Sequence, residues 1–299
     1  MHERVAVITR TRNRTILLKR AIESVLGQTY GNWIHVVVND GGDKESVEAL
    51  LASYEDRYSG RLRLIHNAES LGMEAASNKG IMASDSTYVT IHDDDDSWEP
   101  GFLDACIKTL EETPFPTVKG VTTHTSQIFE RIGKNGATEV YRRDFDPQLT
   151  SVSLPEITEI NKFMPISFVF RRDVFESTGL FDETLPVIGD WEFNIRFLSK
   201  FDVVVLKQCL ANYHIRVDEH EDYSNTVTAA QDKHSFYRDL IVNKYVREDL
   251  EAGRVSMGML MAFGDYFHRI GGNTVRLVQL VERLKNSGPL RLARKLFRV

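Results

Sequence analysis

The sequence predicts an α/β fold, a mostly parallel sheet flanked by helices, followed by a C-terminal helical extension. Three observations carry this. Short apolar runs alternate with amphipathic stretches at close intervals up to about Glu112, the pattern of successive βαβ units. The runs are unbroken rather than alternating, as in strands covered on both faces. From about Thr228 only helical periodicity remains, interrupted at Gly253, Gly271-Gly272 and Gly288-Pro289, which serve as helix stops. The expected division is 1–225 for the α/β domain and 226–299 for the extension.

The first strand is Val5-Ala6-Val7-Ile8, which runs into the basic loop Thr9-Arg10-Thr11-Arg12-Asn13-Arg14. A helix follows, with Thr15 as its expected cap, Ile16, Leu17, Ala21, Ile22, Val25 and Leu26 on its apolar face, and Gly27 as its stop. Residues 34–38 form a second strand ending in Asn39-Asp40-Gly41-Gly42, and a helix is expected over 46–54. A third strand at 62–65 ends in His66-Asn67, and a helix over 71–83 leads to the strand at 88–91. In such sheets ligands lie beyond the carboxyl ends of the strands. Here every one of those ends is polar, and a basic loop and an acidic cluster on one rim suit a nucleotide diphosphate and its metal. There is no Gly-rich P-loop and no GxGxxG, which counts against NTPases and dinucleotide enzymes.

The acidic cluster is Asp93-Asp94-Asp95-Asp96. Four adjacent carboxylates at the end of a buried strand repel one another and invite a cation. Mg²⁺ or Mn²⁺ would take oxygen ligands from one or two of them together with substrate phosphates. The alternative is a solvated acidic turn in which Asp96 or Ser97 caps the helix after Pro100.

Beyond Glu112 two strands, at 117–129 and 137–141, flank the turn signal Lys134-Asn135-Gly136. Residues 144–165 lack periodicity and read as a substrate loop, and 166–170 return to strand character. Gly189-Asp190-Trp191-Glu192 opens an amphipathic helix, where Asp190 is either a first-turn acid or a site residue. Residues 203–206 are another strand, followed by 209–216, which contains His214 and Arg216.

A net charge of −6 argues against general nucleic-acid binding. Cys106 and Cys209 have no metal-type spacing and read as buried thiols in a reducing compartment. With no signal-peptide pattern at the start and no apolar run long enough for a bilayer, a cytoplasmic protein is expected.

Taken together, residues 5–216 resemble the family-2 glycosyltransferases, whose nucleotide-sugar fold is called GT-A. VAVITRTRNR resembles the strand-one nucleotide motif, SVLGQTY at 24–30 the helix that follows, and VVVNDGG the strand-two motif. Asn67, Leu71-Gly72 and the run Ala75-Ala76-Ser77-Asn78-Lys79-Gly80 are similar to the third motif, and IHDDDDSWEP to the DxD motif. The resemblance implies nucleotide contacts from Arg10, Thr11, Asn13, Asp40, Asn67, Asp93 and Asp94, with Asp40 on the uracil ring. It implies Asp95 as the direct ligand of Mn²⁺ or Mg²⁺ and Asp190 as the catalytic base. Lys79, Trp98, Trp191, Glu192, His214 and Arg216 are candidate diphosphate or acceptor contacts, and a structural, hydrogen-bonded role for His214 stands beside that one. The tryptophans read equally well as sugar platforms or as packing. Three positions depart from the family pattern: Arg12 stands where an aromatic is usual, Ser77 where an arginine is usual, and Gly189 where the first acid of the pair is usual.

The implied activity is inverting, metal-dependent transfer from a nucleotide-sugar, a UDP-sugar by expectation, to a glycan or lipid-linked acceptor in surface polysaccharide synthesis. A glycan- or partner-binding module without turnover is the rival, and a nucleotidyltransferase a third reading. Glu219, His220, Glu221 and Asp222 form a polar run, either a lid or a solvated loop. The C-terminal stretch sets Leu290, Leu292, Leu296 and Phe297 among Arg291, Arg294, Lys295 and Arg298. Such a helix suits peripheral contact with the inner face of a membrane, docking on its own domain, or a homodimer.

Overall fold

The computed structural model describes residues 4–133, 136–217 and 231–286. The chain divides into two compact units, Met1–Arg238 and Asp239–Val299. In the first, the elements follow as β1 (Val5–Thr11), α1 (Thr15–Leu26), β2 (Trp33–Asp40), α2 (Lys44–Ala52), α3 (Glu55–Tyr58), β3 (Leu62–Asn67), α4 (Met73–Met82), β4 (Tyr88–Ile91), β5 (Ser97–Trp98) and α5 (Phe102–Glu112). They continue as β6 (Val118–Gly133), β7 (Gly136–Asp144), α6 (Leu154–Glu159), β8 (Phe168–Arg171), α7 (Phe175–Thr178), α8 (Gly189–Leu198) and β9 (Asp202–Arg216). Two helices close the described chain, α9 (Gln231–Glu251), which crosses the division, and α10 (Met257–Asn286).

The strands form one sheet in the order β3-β2-β1-β4-β8-β6-β9-β5, with β7 added beside β6. β3, β2, β1 and β4 are mutually parallel, and β8 runs antiparallel to both β4 and β6. Register aligns Ile8 with Ile91, Thr11 with Asn39 and Asp40 with Asn67, so the loops after these four strands emerge on one rim. The strands that read as unbroken apolar runs are fully covered: Val5, Val7, Ile8, Val36, Val37, Val38 and Val89 have no exposed surface. Their burial, worth about 25 cal/mol per Å² of apolar surface, stabilises the sheet that carries the rim.

Several local expectations are corrected. Gly271-Gly272 do not stop a helix, since α10 runs through them from Met257 to Asn286. Cys106 is buried, but Cys209 is exposed, and Ile16 of α1 is exposed rather than on its buried face. Neither Asp96 nor Ser97 caps the helix after Pro100: Gly101 stands at its N-cap, and Ser97-Trp98 pair antiparallel with β9 instead. Thr15 is the first helical residue of α1 rather than its cap, and the preceding Arg14 makes no capping bond. The two runs 203–206 and 209–216 are one strand, because a bulge after Leu206 lets Lys207 and Gln208 bypass the ladder while pairing with β6 continues. The aperiodic stretch 144–165 holds α6, six residues long. Its Ser153 caps the helix, accepting from the Glu156 amide and donating to the Glu156 carboxylate at 2.7 Å, and the helix is too short to show periodicity. Lys134 and Asn135 lie outside the described residues, as do 218–230 with the polar run Glu219 to Asp222, and 287–299 with the basic amphipathic stretch.

Candidate active site

A cavity of about 590 Å³ opens on the rim beyond β1, β2 and β4. Arg10, Thr11, Asp40, Asp93 and Asp95 line one side; Asn161, Phe163 and Met164, from the loop after α6, face them together with Ile188 and Asp190. Tyr213 and Ile215 of β9 complete the wall.

The aspartate run is laced to arginines from three parts of the chain. Arg10 Nη2 lies 2.8 Å from Asp93 Oδ1, and Arg14 Nη2 lies 2.5 Å from Asp94 Oδ1. Asp95 Oδ2 faces Arg216 Nη1 at 2.6 Å and Arg14 Nη1 at 3.5 Å. Burial alone would raise the Asp95 carboxyl, but Arg14 and Arg216 hold it down at about 2, so it stays ionised. Asp94 has no exposed surface, and burial pushes its carboxyl up against the pull of Arg14. Asp96 is buried too; it accepts from the His214 amide at 2.9 Å, while its Oδ2 has no hydrogen-bond partner. Burial and the charges of Asp95 and Asp93 push it far up.

At the end of β2 Asp40 closes a different network. Its carboxylate accepts from Asn67 Nδ2 (2.7 Å), Ser70 Oγ (2.7 Å) and the amides of Leu71 (2.9 Å) and Gly72 (3.1 Å). Burial raises its pKa, yet these four donors carry it below the ordinary value. Lys79 is held in the same chain, donating to Asn67 Oδ1 at 2.7 Å. Gly41 is required here, since its φ is +73° and a Cβ would meet Ser70 N at 2.4 Å. Asn13, at φ 54°, accepts from the Asp43 amide at 2.8 Å and so pins the loop after β1 to that after β2.

Across the cavity Asp190 is the second residue of α8. Asn161 Nδ2 donates to its Oδ2 at 2.8 Å, and Asn194 Nδ2 donates in turn to Asn161 Oδ1 at 3.0 Å. Burial lifts the Asp190 carboxyl above its ordinary value, opposed by the Trp191 amide and the Arg10 charge. Ile188, just before the helix, has φ 56°, an unusual conformation for a β-branched residue, which turns the chain so that α8 starts at the cavity. Position 77, where the family pattern has an arginine, is a serine whose Oγ accepts from Arg10 Nη1 at 2.8 Å. Arg10, from β1, thus brings positive charge to that spot.

The remaining candidates lie behind the walls. Trp98 is 5% exposed, stacks on Phe102 at 4.4 Å and donates Nε1 to Ile166 O at 2.6 Å, so its ring offers no face to a sugar. Trp191 is likewise buried, with Nε1 donating to Ile157 O at 2.6 Å and Arg238 over its ring. Glu192 is buried and pairs with Arg196 at 2.7 Å within α8. His214 is engaged through Nδ1 with Glu130 (2.9 Å) and through Nε2 with Ser97 (2.9 Å), and burial lowers its pKa. Glu130 also takes Arg20 at 2.7 Å. Sequence reasoning missed Asn161, Glu74, Arg20 and Glu130. Only Asn161 carried a signal, as a polar residue in the loop already marked for substrate.

No cluster of three or more metal-ligating side chains occurs among the described residues. The donor set nevertheless fits a hard cation: Asp93, Asp95 and Asp96 are carboxylates lining the cavity, and the buried Asp96 Oδ2 lacks a donor.

The fold has solved counterparts. TarS 1–349 of S. aureus in complex with UDP-GlcNAc aligns with a TM-score of 0.56 at 15% identity, covering 83% of this chain and 73% of that one. The mannosyltransferase PcManGT of Pyrobaculum calidifontis, in complex with GDP-Man and Mn²⁺, aligns with a TM-score of 0.55 at 15% identity, covering 99% and 84%. Both show the GT-A fold alone at that identity. In sequence, the Bacillus subtilis (strain 168) protein named uncharacterized glycosyltransferase YwdF is 26% identical over 202 residues, 67% of this chain and 70% of that protein. WcaA of Escherichia coli (strain K12), named for colanic acid biosynthesis, is 36% identical over 100 residues, 33% of this chain and 35% of that protein. The family model described as Glycosyl transferase family 2 matches residues 6–179, more than half of the chain. The chain therefore belongs to glycosyl transferase family 2 and is a glycosyltransferase.

Proposed function

We propose that the protein transfers a sugar, with inversion, from a nucleoside-diphosphate sugar to a hydroxyl of a glycan or lipid-linked acceptor in the synthesis of a surface polysaccharide. One observation carries this reading: a carboxylate with a raised pKa, Asp190, and a rim of arginines and aspartates line a single cavity of about 590 Å³. Inverting transfer is a single displacement, so the acceptor's base must lie across the reacting carbon from the leaving group. Asp190 is that base. A carboxyl lifted toward working pH is a stronger proton acceptor than an ordinary one, and Asn161 fixes its orientation.

The donor's diphosphate belongs on the rim, where Arg10 and Arg14 bring positive charge and Arg12 lies exposed on the same wall. Asp93 and Asp95 would hold Mn²⁺ or Mg²⁺ together with that diphosphate, and the ion would add positive charge at the departing group. Arg216 keeps Asp95 ionised for that duty. The base of the nucleotide lies toward Asp40, Asn67 and the loop that Asn13 pins. UDP is our choice for it; TarS was solved with UDP-GlcNAc and PcManGT with GDP-Man and Mn²⁺. The assignment to surface polysaccharide follows the naming of WcaA. No described helix is long and apolar enough to cross a membrane, and we place the protein at the inner face through its basic C-terminal stretch.

Calorimetric titration with UDP, GDP, dTDP and CDP, with and without Mn²⁺, tests the donor half of the proposal. It predicts metal-dependent binding of one nucleotide. Absence of binding under every condition contradicts it.

A further inference from the structure

Gly189, the first residue of α8, has no side chain, and the space a side chain would need is filled by Glu74. A Cβ at 189 would lie 2.5 Å from Glu74 Cδ and Oε1 and 2.6 Å from its Cγ. Glu74 is the second residue of α4, so two helix N-termini, of α4 and α8, each deliver an acid to one cavity wall. The positive ends of both helices favour those charges.

Glu74 is 4% exposed, yet its Oε2 has no hydrogen-bond partner. Arg10 stands 3.7 Å away and directs its hydrogen bonds to Asp93 and Ser77. A buried carboxyl oxygen without a donor is costly in a folded chain. A donor brought by a ligand would satisfy it, and the cavity beside it is where the acceptor must lie if Asp190 is the base.

We propose that Glu74 is an acceptor-binding residue: its carboxylate receives a hydrogen bond from a hydroxyl adjacent to the one Asp190 deprotonates. The site then takes a sugar or polyol with neighbouring hydroxyls rather than an isolated alcohol. This rests on the glycosyl-transfer reading above. Burial, opposed by Arg10 and reinforced by Asp190, Asp93 and Glu192, lifts the Glu74 carboxyl to about 7. A hydroxyl donating to it would favour its ionised form.

The test transposes the carboxylate. Glu74→Ala, Glu74→Gln and the double variant Glu74→Ala/Gly189→Glu are compared with wild type. Donors are UDP-GlcNAc and GDP-mannose, acceptors are methyl glycosides and their singly deoxygenated analogues, and nucleoside diphosphate release is the readout. The φ of Gly189 lies outside the left-handed region, so position 189 accepts a side chain once Glu74 is shortened. Both single variants are expected to lose about 10- to 100-fold in kcat/KM for the acceptor, the range of one charged hydrogen bond. Nucleotide affinity should stay within about twofold, discrimination against the deoxygenated acceptor should disappear, and the double variant should recover most of the rate. Wild-type rates in Glu74→Gln overturn the assignment, as does a folded double variant no better than Glu74→Ala. If Glu74→Ala does not fold, Glu74→Gln keeps the shape and decides alone. A wild type that neither binds nucleotide nor transfers overturns the glycosyl-transfer reading, and this proposal with it. A wild type that transfers while Glu74→Gln is indifferent overturns this proposal only.

Discussion

Arg216, the last residue of β9, donates to Asp95 at 2.6 Å and so ties the final strand of the sheet to the acidic run that follows β4. Arg216 is buried and Asp95 partly so, with side chains 2% and 14% exposed. Arg14 approaches the same carboxylate from the loop after β1. Asp95 is therefore a point where three separate segments meet, and its charge is fixed before any donor arrives.

Asp95→Asn removes that charge and breaks its ion pair with the buried Arg216, the loss of a charged hydrogen bond that costs about 1.5–3 kcal/mol. The variant should melt below wild type and lose metal-dependent nucleotide binding in calorimetry. Retention of metal-dependent binding would remove Asp95 from the donor site.

Asn161→Ala takes away the donor to Asp190 Oδ2. A hydrogen bond to a carboxylate favours its ionised form, so the loss raises the pKa of Asp190 further. As a base Asp190 works only when ionised, and transfer falls as pH drops through that pKa. The acid limb of the rate profile should thus move to higher pH in the variant. An unmoved limb with a lower plateau would mean that Asn161 acts elsewhere.

The Glu74 carboxyl titrates at about 7 in the fold against an ordinary 4.5. The folded state holds this proton more tightly than the unfolded chain does. The group therefore costs nothing below about pH 4.5 and an increasing amount as pH rises to 7, on the order of 3 kcal/mol at completion. Melting temperatures of wild type and Glu74→Gln should diverge from pH 5 to pH 8 in favour of the variant. A pH-independent gap would contradict the burial of an ionisable carboxyl there. Gain of stability with loss of transfer is the pattern expected of a functional acid in a dry site.

Trp98 stacks on Phe102 and lies 4.3 Å from the His92 ring, with its Nε1 satisfied by Ile166. Trp98→Ala should cost about 3–5 kcal/mol, read as a drop in melting temperature. A variant as stable as wild type would show that the ring is not part of the core.

The four parallel strands were legible because apolar runs at short intervals admit few other folds, and the rim followed from where each run ended. Asp190 stood out through its motif, and Arg10 through a basic loop at a strand end. What escaped was set by contacts distant in sequence. Glu74 looked like an ordinary first-turn acid of α4; only its meeting with Gly189, 115 positions on, gives it a place in the site. Trp98 and Trp191 lay beside site carboxylates in sequence, but neighbours on a strand or helix point different ways, and both rings turned into the core. β9 read as two runs because periodicity carries no mark of a bulge, and α6 was too short to show a period.

The most direct test of the account compares sugar transfer by wild type and Asp190→Asn, with donor affinity measured on both. The account predicts that wild type transfers, that the variant binds the donor nearly as well, and that its rate falls by about 10² to 10⁴, the usual worth of a general base. Equal transfer by the two proteins would contradict it.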